Sequence, residues 1–521
     1  MPHPSQHVAR HPDKIAYRIA DADADETLTY RELDEASNQA AQLFRSLGIG
    51  IGDHIAILME NRLELLVLCW GAQRAGLYCT PISTHLRPGE VSYVVGNCGA
   101  KLLVVGSGQA DMAGAILPDL PESLHRLAVG GGIPGFGSYE EAANAMPPRP
   151  IADERAGYIM NYSSGTTGRP KGIKPVFRDV PIDTVGELQL ALCRDVSGLG
   201  PDAIYLSPAP LYHAAPLLFS MMTVALGGTV VIERRFDAES FLRHVEQYGI
   251  THSQLVPTMF VRMLKLPAET RARYNLASLR IAVHAAAPCP IQVKRDMISW
   301  WGPILVEYYG ATEAYGFTMV ESPAWLAHPG TVGRAVVGKL RIVGEDGVVQ
   351  PPGEIGTVHF EDGPRFSYHE EPEKTAAAYN AQGWATVGDV GYVDAEGFLY
   401  LTDRKAYVIN SGGVNVYPQA CEDLLASHPK VLDAAVFGVP DEDMGEVVKA
   451  VVQPLPGVDA GEELERELIA DCRAELASIA CPRSIDFTDE LPRTPTGKLN
   501  KRLLRDQYWP QPAAGLTASA R

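Results

Sequence analysis

The strongest constraint on this chain is an alternation of two periodicities along its first half. Arg31 through Leu47 puts Leu33, Ala36, Ala40, Leu43 and Leu47 at helical spacing, His54 to Met59 is a short apolar strand, and Leu63 to Ala75 returns to helix. Lys101-Leu-Leu-Val-Val-Gly106 and Gly228-Thr-Val-Val-Ile232 are further β-branched runs beside helical segments. A strand that is apolar on both faces needs cover on both, so the alternation implies an α/β fold of mainly parallel sheets clothed by helices. With 521 residues the chain far exceeds one core of about 150, and more than one domain is expected.

From about residue 330 the texture changes. Leu340-Arg-Ile-Val343, Gly356-Thr-Val-His-Phe360, Val390-Gly-Tyr-Val393 and Phe398-Leu-Tyr-Leu401 are separated by Gly/Asp/Pro turns, which predicts a small antiparallel, barrel-like unit over 330–403. Beyond it, Pro418–Ser427 and Glu462–Ala477 read as helices and Val431–Val439 and Val447–Gln453 as strands. The expected division is a body over 1–403 and a small α+β domain over 404–521, ending in a frayed tail.

Composition narrows the class of function. Hydrophobic residues at 46% and charged residues at 21% are ordinary globular usage, and a net charge of −18 repels phosphate backbones and anionic lipid. Nucleic acid is therefore not an expected partner. Eight cysteines without a CxxC pair argue against a disulfide framework or a zinc cage, and the N-terminus lacks a basic region and an apolar run, so a cytoplasmic protein is expected. Residues 203–232 carry no Asp, Glu, Lys or Arg, yet Pro208, Pro210, Pro216 and Gly227-Gly228 break them into strand, loop, helix and strand. No transmembrane segment is expected, and a homodimer is left open.

The segment richest in chemistry is Tyr162-Ser-Ser-Gly-Thr-Thr-Gly-Arg-Pro-Lys-Gly172, which follows the apolar Gly157-Tyr-Ile-Met160. Glycines turn backbone amides toward a ligand, hydroxyls donate to phosphate oxygens and Lys171 adds a point charge, a composition suited to a nucleoside triphosphate. The Walker A pattern demands a hydroxyl after the lysine, where Gly172 stands. A second glycine run, Gly130-Gly-Gly-Ile-Pro-Gly135, fits GxGxxG but has Pro134 inside the turn and only a short helix after it. It reads as a connecting loop.

The hydroxyl and glycine loop resembles the phosphate-binding signature of the adenylate-forming superfamily of acyl- and aryl-CoA synthetases, luciferases and peptide-synthetase adenylation domains. Four further segments resemble that family's signatures in the family's order: Glu307-Tyr-Tyr-Gly-Ala-Thr-Glu313, Gly383-Trp-Ala-Thr-Val-Gly-Asp389, Thr402-Asp-Arg-Lys-Ala-Tyr-Val-Ile-Asn-Ser-Gly-Gly413 and Leu491-Pro-Arg-Thr-Pro-Thr-Gly-Lys498. The resemblance implies ATP, Mg2+ and coenzyme A as cofactors. It places Ser163, Ser164, Gly165, Thr166, Thr167, Gly168 and Lys171 on the phosphates, Tyr309 beside Gly310 on the adenine, Asp389 on the ribose and Arg404 between ribose and phosphate, with Ala287 and Thr312 also among the nucleotide-binding residues. Glu313, with a hydroxyl from Thr166 or Thr312, supplies the hard oxygen ligands that magnesium prefers. Lys498 meets the carboxylate oxygen and α-phosphate as negative charge gathers.

The reaction the resemblance implies has two steps, formation of an acyl adenylate and displacement of AMP by the coenzyme A thiol. Family members run both by rotating the small domain, which exchanges Lys498 for the loop Ser411, Gly412 and Gly413. The family commonly has Asp or Lys two residues after the motif arginine, and this chain has Ala406 at that pivot. Two segments are expected at the acyl site: Leu211-Tyr-His-Ala-Ala-Pro216, with His213 as its gate, and His284-Ala-Ala-Ala-Pro-Cys289, with Ala285 and Ala286 in the wall beside Gly310. Neither supplies an acid to hold an amino group. Phe236-Asp-Ala-Glu-Ser reads as a helix cap, so the expected substrate is an apolar carboxylic acid, fatty, aromatic or alicyclic. The expectation is an acyl-CoA synthetase. The alternatives are an AMP ligase serving a separate carrier protein and a degenerate relative that binds nucleotide without turnover.

Overall fold

The computed structural model describes residues 3–20, 26–163, 170–184, 190–404, 407–493 and 499–509. Two large sheets build the body. One has six parallel strands in the order Gly137–Ser138, His125–Val129, Ala100–Gly106, His54–Leu58, Tyr78–Pro81 and Tyr158–Ile159. The other has nine, in the order Arg334–Val337, Phe317–Glu321, Leu305–Gly310, Ile281–His284, His252–Leu255, Ile204–Ser207, Thr229–Glu233, Ile15–Ala20 and Glu26–Thr29. Its centre, from Leu305–Gly310 to Ile15–Ala20, is parallel, and the strands beyond at either edge are antiparallel.

Strand periodicity decides which core each side chain joins. Ile55, Ile57, Leu102 and Val104 enter a core shared by the two sheets, whereas Ala56, Leu58, Leu103 and Val105 enter a separate one with Val91 and Val94 of the helix Pro88–Asn97. In the nine-stranded sheet Tyr205, Val230 and Ile232 face the shared core, and Leu206 and Val231 face a third core with the helices Ala238–Tyr248, Pro257–Leu264 and Ile291–Trp301. The helices Tyr30–Ser46, Leu63–Arg74 and Ala214–Ala225 contribute to the shared core. Leu63–Arg74 is buried almost all round, as the continuous apolar run of residues 65–72 at its centre requires. Gly71 permits that packing: a Cβ there would stand 2.7 Å from Cβ of Ala40.

Residues 203–232 fold as expected into the strand Ile204–Ser207, a loop, the helix Ala214–Ala225 and the strand Thr229–Glu233. Among the described residues no helix is long and apolar enough to cross a membrane. Asp237 caps the helix Ala238–Tyr248 by accepting the Ser240 N–H, and residues 130–135 form a connecting loop.

The unit expected to be barrel-like is antiparallel but open. Lys339–Val343, Gly356–Glu361, Asp389–Val393 and Leu399–Arg404 pair in that order, with no pairing between the outer two strands among the described residues. Four strands are too few to curl onto themselves, and Val332, Leu399 and Phe360 bury their inner face instead. After residue 407 a mixed sheet runs Val414–Val416, Ile409–Ser411, Gly445–Pro454, Val431–Asp441, with Ser484–Phe487 parallel to Gly445–Pro454. It has its own core, in which Val436, Ala450 and Val452 meet Leu425 and Leu468 of the helices Gln419–Ser427 and Glu462–Glu475. The helix Lys501–Tyr508 covers its other face through Leu504, against Ala435 and Phe437.

Candidate active site

A cavity of about 2730 Å³ lies where the C-terminal sheet and helices meet the body. Parallel strands deliver loops to one end of a sheet, and the cavity collects such loops: the residues after Ile204–Ser207, Ile281–His284 and Leu305–Gly310 all line it. From the body come Ser163, Lys171, His213, Ala286, Ala287, Tyr309, Gly310, Thr312, Glu313 and Asp389, which the sequence had nominated.

Tyr309 and Asp389, 80 residues apart, are joined directly: the phenol donates to Oδ2 at 2.6 Å. Burial, then the Asp389 carboxylate, raises the Tyr309 phenol far above its usual range, so it stays a donor. The aromatic face and the carboxylate are thereby set side by side, as a base and its ribose are in a nucleoside. Arg404 is the strand neighbour of Asp389 in register, and its side chain lies outside the described residues. Gly310 is required by its neighbour, because a Cβ there would stand 2.6 Å from the Phe317 ring.

The hydroxyl- and glycine-rich segment begins and ends in a two-stranded ladder of Asn161–Ser163 with Lys171–Ile173, in which Lys171 pairs with Ser163. Ser164, Gly165, Thr166, Thr167 and Gly168 lie outside the described residues. The ladder is braced by the Tyr162 hydroxyl, which donates to Asn97 Oδ1 at 2.6 Å. Tyr368 connects it to the acid: its hydroxyl donates to Glu313 Oε1 at 2.8 Å, and the Lys171 ammonium stands 4.9 Å from its ring centroid. For magnesium, no group of three His, Cys, Asp or Glu side chains among the described residues is placed to hold a metal ion by itself. Glu313 fits a site in which nucleotide oxygens and water supply most ligands, the arrangement magnesium accepts.

His213 directly precedes the helix Ala214–Ala225, its ring 4.6 Å from that of Tyr212, whose hydroxyl bonds His85 Nδ1 at 3.0 Å. Burial, with His85 second, pushes the His213 ring down to about 3, so it is neutral at ordinary pH. Its Nε2 is buried with no protein partner. Ala286 lines the cavity at φ 75°, a left-handed conformation that costs an alanine about 1–2 kcal/mol. Ala285 is buried and does not reach the cavity.

Lys498 lies outside the described residues, but Arg493 and Leu499 on either side of it line the cavity and pair in an isolated β-bridge. Ser411, Gly412 and Gly413 are not brought to the cavity. They form a hairpin turn, with Gly412 and Gly413 at φ 56° and 83° and the Gly412 N–H on the Met444 carbonyl, while Tyr407 before the turn and Val414 after it line the cavity.

The sequence reading missed Tyr368, Asn97 and a buried ionic cluster behind the wall. Lys294 and Glu307 pair at 2.5 Å with side chains 0% and 6% exposed, and His284, paired in register with Glu307, has its Nε2 3.7 Å from the same oxygen. An acid inside the apolar run Leu305-Val-Glu-Tyr-Tyr309 was the available signal. Tyr368 carried none, because its partners are remote in sequence.

The sequence model of the AMP-binding enzyme family matches residues 5–364, and that of the AMP-binding enzyme C-terminal domain matches residues 420–498. The chain belongs to the AMP-binding enzyme family. The resemblance drawn from the five signatures therefore holds, and with it the expectation of an AMP-forming acid–thiol ligase. Among AMP-binding relatives, a long-chain-fatty-acid–CoA ligase, FadD13, of Mycobacterium tuberculosis is 30% identical over 488 residues, 93% of this chain and 94% of the relative. A 3-[(3aS,4S,7aS)-7a-methyl-1,5-dioxo-octahydro-1H-inden-4-yl]propanoyl:CoA ligase of Rhodococcus jostii is 32% identical over 511 residues, covering 93% and 95%. Among solved structures, the anthranilate CoA ligase AuaEII in complex with anthranoyl-AMP superposes with a TM-score of 0.82 at 25% identity, covering 97% of this chain and 96% of that one.

Proposed function

We propose that this AMP-binding enzyme is an acyl-CoA synthetase that activates an apolar carboxylic acid with ATP and passes it to coenzyme A. The observation that carries the reading is the convergence on one cavity of the joined Tyr309–Asp389 pair, of Glu313 tied through Tyr368 to Lys171, and of the neutral His213. The first set is suited to a nucleotide. The last, with Leu218 and Met221 of the same helix, offers an uncharged wall to an acyl group. The relatives span a long-chain fatty acid and a fused-ring propanoyl group, which supports an apolar acid without choosing its shape.

In this reading the substrate carboxylate oxygen attacks the α-phosphorus and the bond to pyrophosphate breaks. The coenzyme A sulfur then attacks the acyl carbon and the bond to AMP breaks. Tyr309 and Asp389 hold the adenosine, residues 163–168 and Lys171 the phosphates, and Glu313 with Thr166 a magnesium ion that would offset phosphate charge. Lys498 stabilises the charge that develops between carboxylate and α-phosphate. Residues 1–403 act as the body and 404–521 as a lid pivoting near Ala406.

The test is a panel of octanoate, palmitate, benzoate, phenylacetate and cyclohexanecarboxylate with ATP, magnesium and coenzyme A, scored by thioester mass. At least one acid should yield a thioester. AMP release that coenzyme A neither accelerates nor converts to thioester would favour transfer to a carrier protein instead. Lys498→Ala should lower acid-dependent pyrophosphate release by about 100-fold or more and largely spare transfer from a supplied acyl adenylate. Equal loss of both halves would contradict the assigned role.

A further inference from the structure

Lys501 is the first residue of the helix Lys501–Tyr508, three positions beyond Lys498, and its side chain is only 8% exposed. A buried lysine needs partners, and this one has two carboxylates. Its Nζ is 2.9 Å from Glu422 Oε1 on the helix Gln419–Ser427 and 3.9 Å from Asp403 Oδ2, while the Tyr407 ring centroid lies 5.6 Å away. The same Glu422 oxygen accepts the Val436 N–H at 2.6 Å, so the acid is anchored to the C-terminal sheet.

The two pairs differ in what they join. Lys501 and Glu422 both belong to the C-terminal unit, and their pair holds that unit together. Asp403 is the penultimate residue of Leu399–Arg404, the last strand of the body, immediately before the pivot. Its side chain is 5% exposed.

The segment carrying Lys498 is gripped at both ends. Upstream, the Arg493 guanidinium is forked on both oxygens of Asp433, and the Asn500 N–H closes the base of the loop on the Pro492 carbonyl at 2.8 Å. Downstream, Lys501 makes the ionic contact that reaches across the pivot. A turn of the small domain about residues 404–406 carries Lys501 and Glu422 together and leaves Asp403 with the body.

We propose that Lys501 and Asp403 form a latch across the pivot, holding the small domain where Arg493 and Leu499, on either side of Lys498, line the cavity and so favouring the adenylating arrangement. The inference rests on the reaction proposed above. Ala406 supplies no charge at the pivot itself, and the latch places one on the flanking residue and on the terminal helix. Both are positioning residues. A contact present in one arrangement and absent in the other shifts their populations by its differential free energy.

Asp403→Asn is the informative variant, since it is nearly isosteric and keeps the Lys501–Glu422 pair. With the acid that the panel finds best, its acid-dependent ATP–pyrophosphate exchange should fall about tenfold, the scale of a modest coupling, while thioester formation from the synthetic adenylate stays within about twofold. Lys501→Arg should hold exchange within about threefold of the parent, because it keeps the cation. A purely architectural role would lower both half-reactions alike, and that result, or unchanged exchange in Asp403→Asn, would overturn the latch. Spin labels at Glu354→Cys and Glu475→Cys, in a Cys289→Ser background, supply a readout that needs no substrate. The interdomain distance should be narrow in the parent and broadened by Asp403→Asn, and identical distributions also refute the latch. If the parent turns over no acid, the synthetase reading fails and the distances alone judge the latch.

Discussion

Lys294→Met isolates the energetics of the ionic cluster behind the active-site wall. The lysine ammonium sits 2.5 Å from Glu307 and 4.8 Å from the Trp325 ring centroid, with no exposure of its side chain. Methionine replaces most of the aliphatic volume, so the cavity contribution is small and the main loss is electrostatic. Leaving the Glu307 carboxylate buried without its cation should cost about 3–5 kcal/mol. Adding Glu307→Gln removes the stranded charge and should recover most of that, ending within about 1–2 kcal/mol of the parent. The pH dependence has a definite sign. Burial raises the Glu307 carboxyl above its usual value, opposed by Lys294, and without Lys294 it rises further. Between the unfolded and folded values the native state binds more protons, so stability is highest at acid pH and falls as pH rises through that window. Burial, and after it Lys294, hold the His284 ring well below its usual range, so loss of Lys294 eases protonation of that ring, with burial still opposing it. Either proton neutralises the cluster, so the cost should be smaller at pH 5.5 than at pH 8. Urea unfolding of the parent, single and double variants at both pH values measures it. A single-variant cost below about 1 kcal/mol, a cost independent of pH, or a double variant as unstable as the single would refute the reasoning.

Two further outcomes follow from the site. Tyr309→Phe keeps the ring and removes the hydrogen bond at 2.6 Å to Asp389; such a bond to a charged group is worth about 1.5–3 kcal/mol, so KM for ATP should rise at least about tenfold with kcat within about twofold, and an unchanged KM in steady-state assays would contradict the coupling. His213 is depressed to about 3 by burial and His85, so between that value and the unfolded one near 6.5 the unfolded state binds more protons and stability rises with pH. His213→Phe should flatten that part of the profile when urea midpoints are compared from pH 4 to 7, and parallel profiles would exclude a buried neutral ring.

Local pattern reached far into this molecule. The alternation over Arg31–Ala75 predicted the helices Tyr30–Ser46 and Leu63–Arg74 with a strand between them, and proline and glycine positions divided residues 203–232 correctly. The antiparallel texture after residue 330 was legible too, but not its openness, since closure depends on which outer strands find each other. The five signatures named Tyr309, Asp389, Lys171 and Glu313 because a contiguous stretch of residue types betrays its chemistry. They could not say that Tyr309 holds Asp389 or that Tyr368 holds Glu313 beneath Lys171, and they left the Ser411–Gly413 turn apparently equivalent to the rest.

What the sequence determined by itself is therefore whatever repeats within a few residues: the elements, the sheet class and the inventory of reactive groups. Tertiary structure alone decided the partnerships, namely Lys294 with Glu307 beneath the wall and Lys501 of the last helix with Asp403 of the strand Leu399–Arg404. The physical reason is range. Periodicity and turn chemistry are properties of neighbouring residues, whereas a buried ion pair exists only where the packing of remote elements removes water from both charges at once.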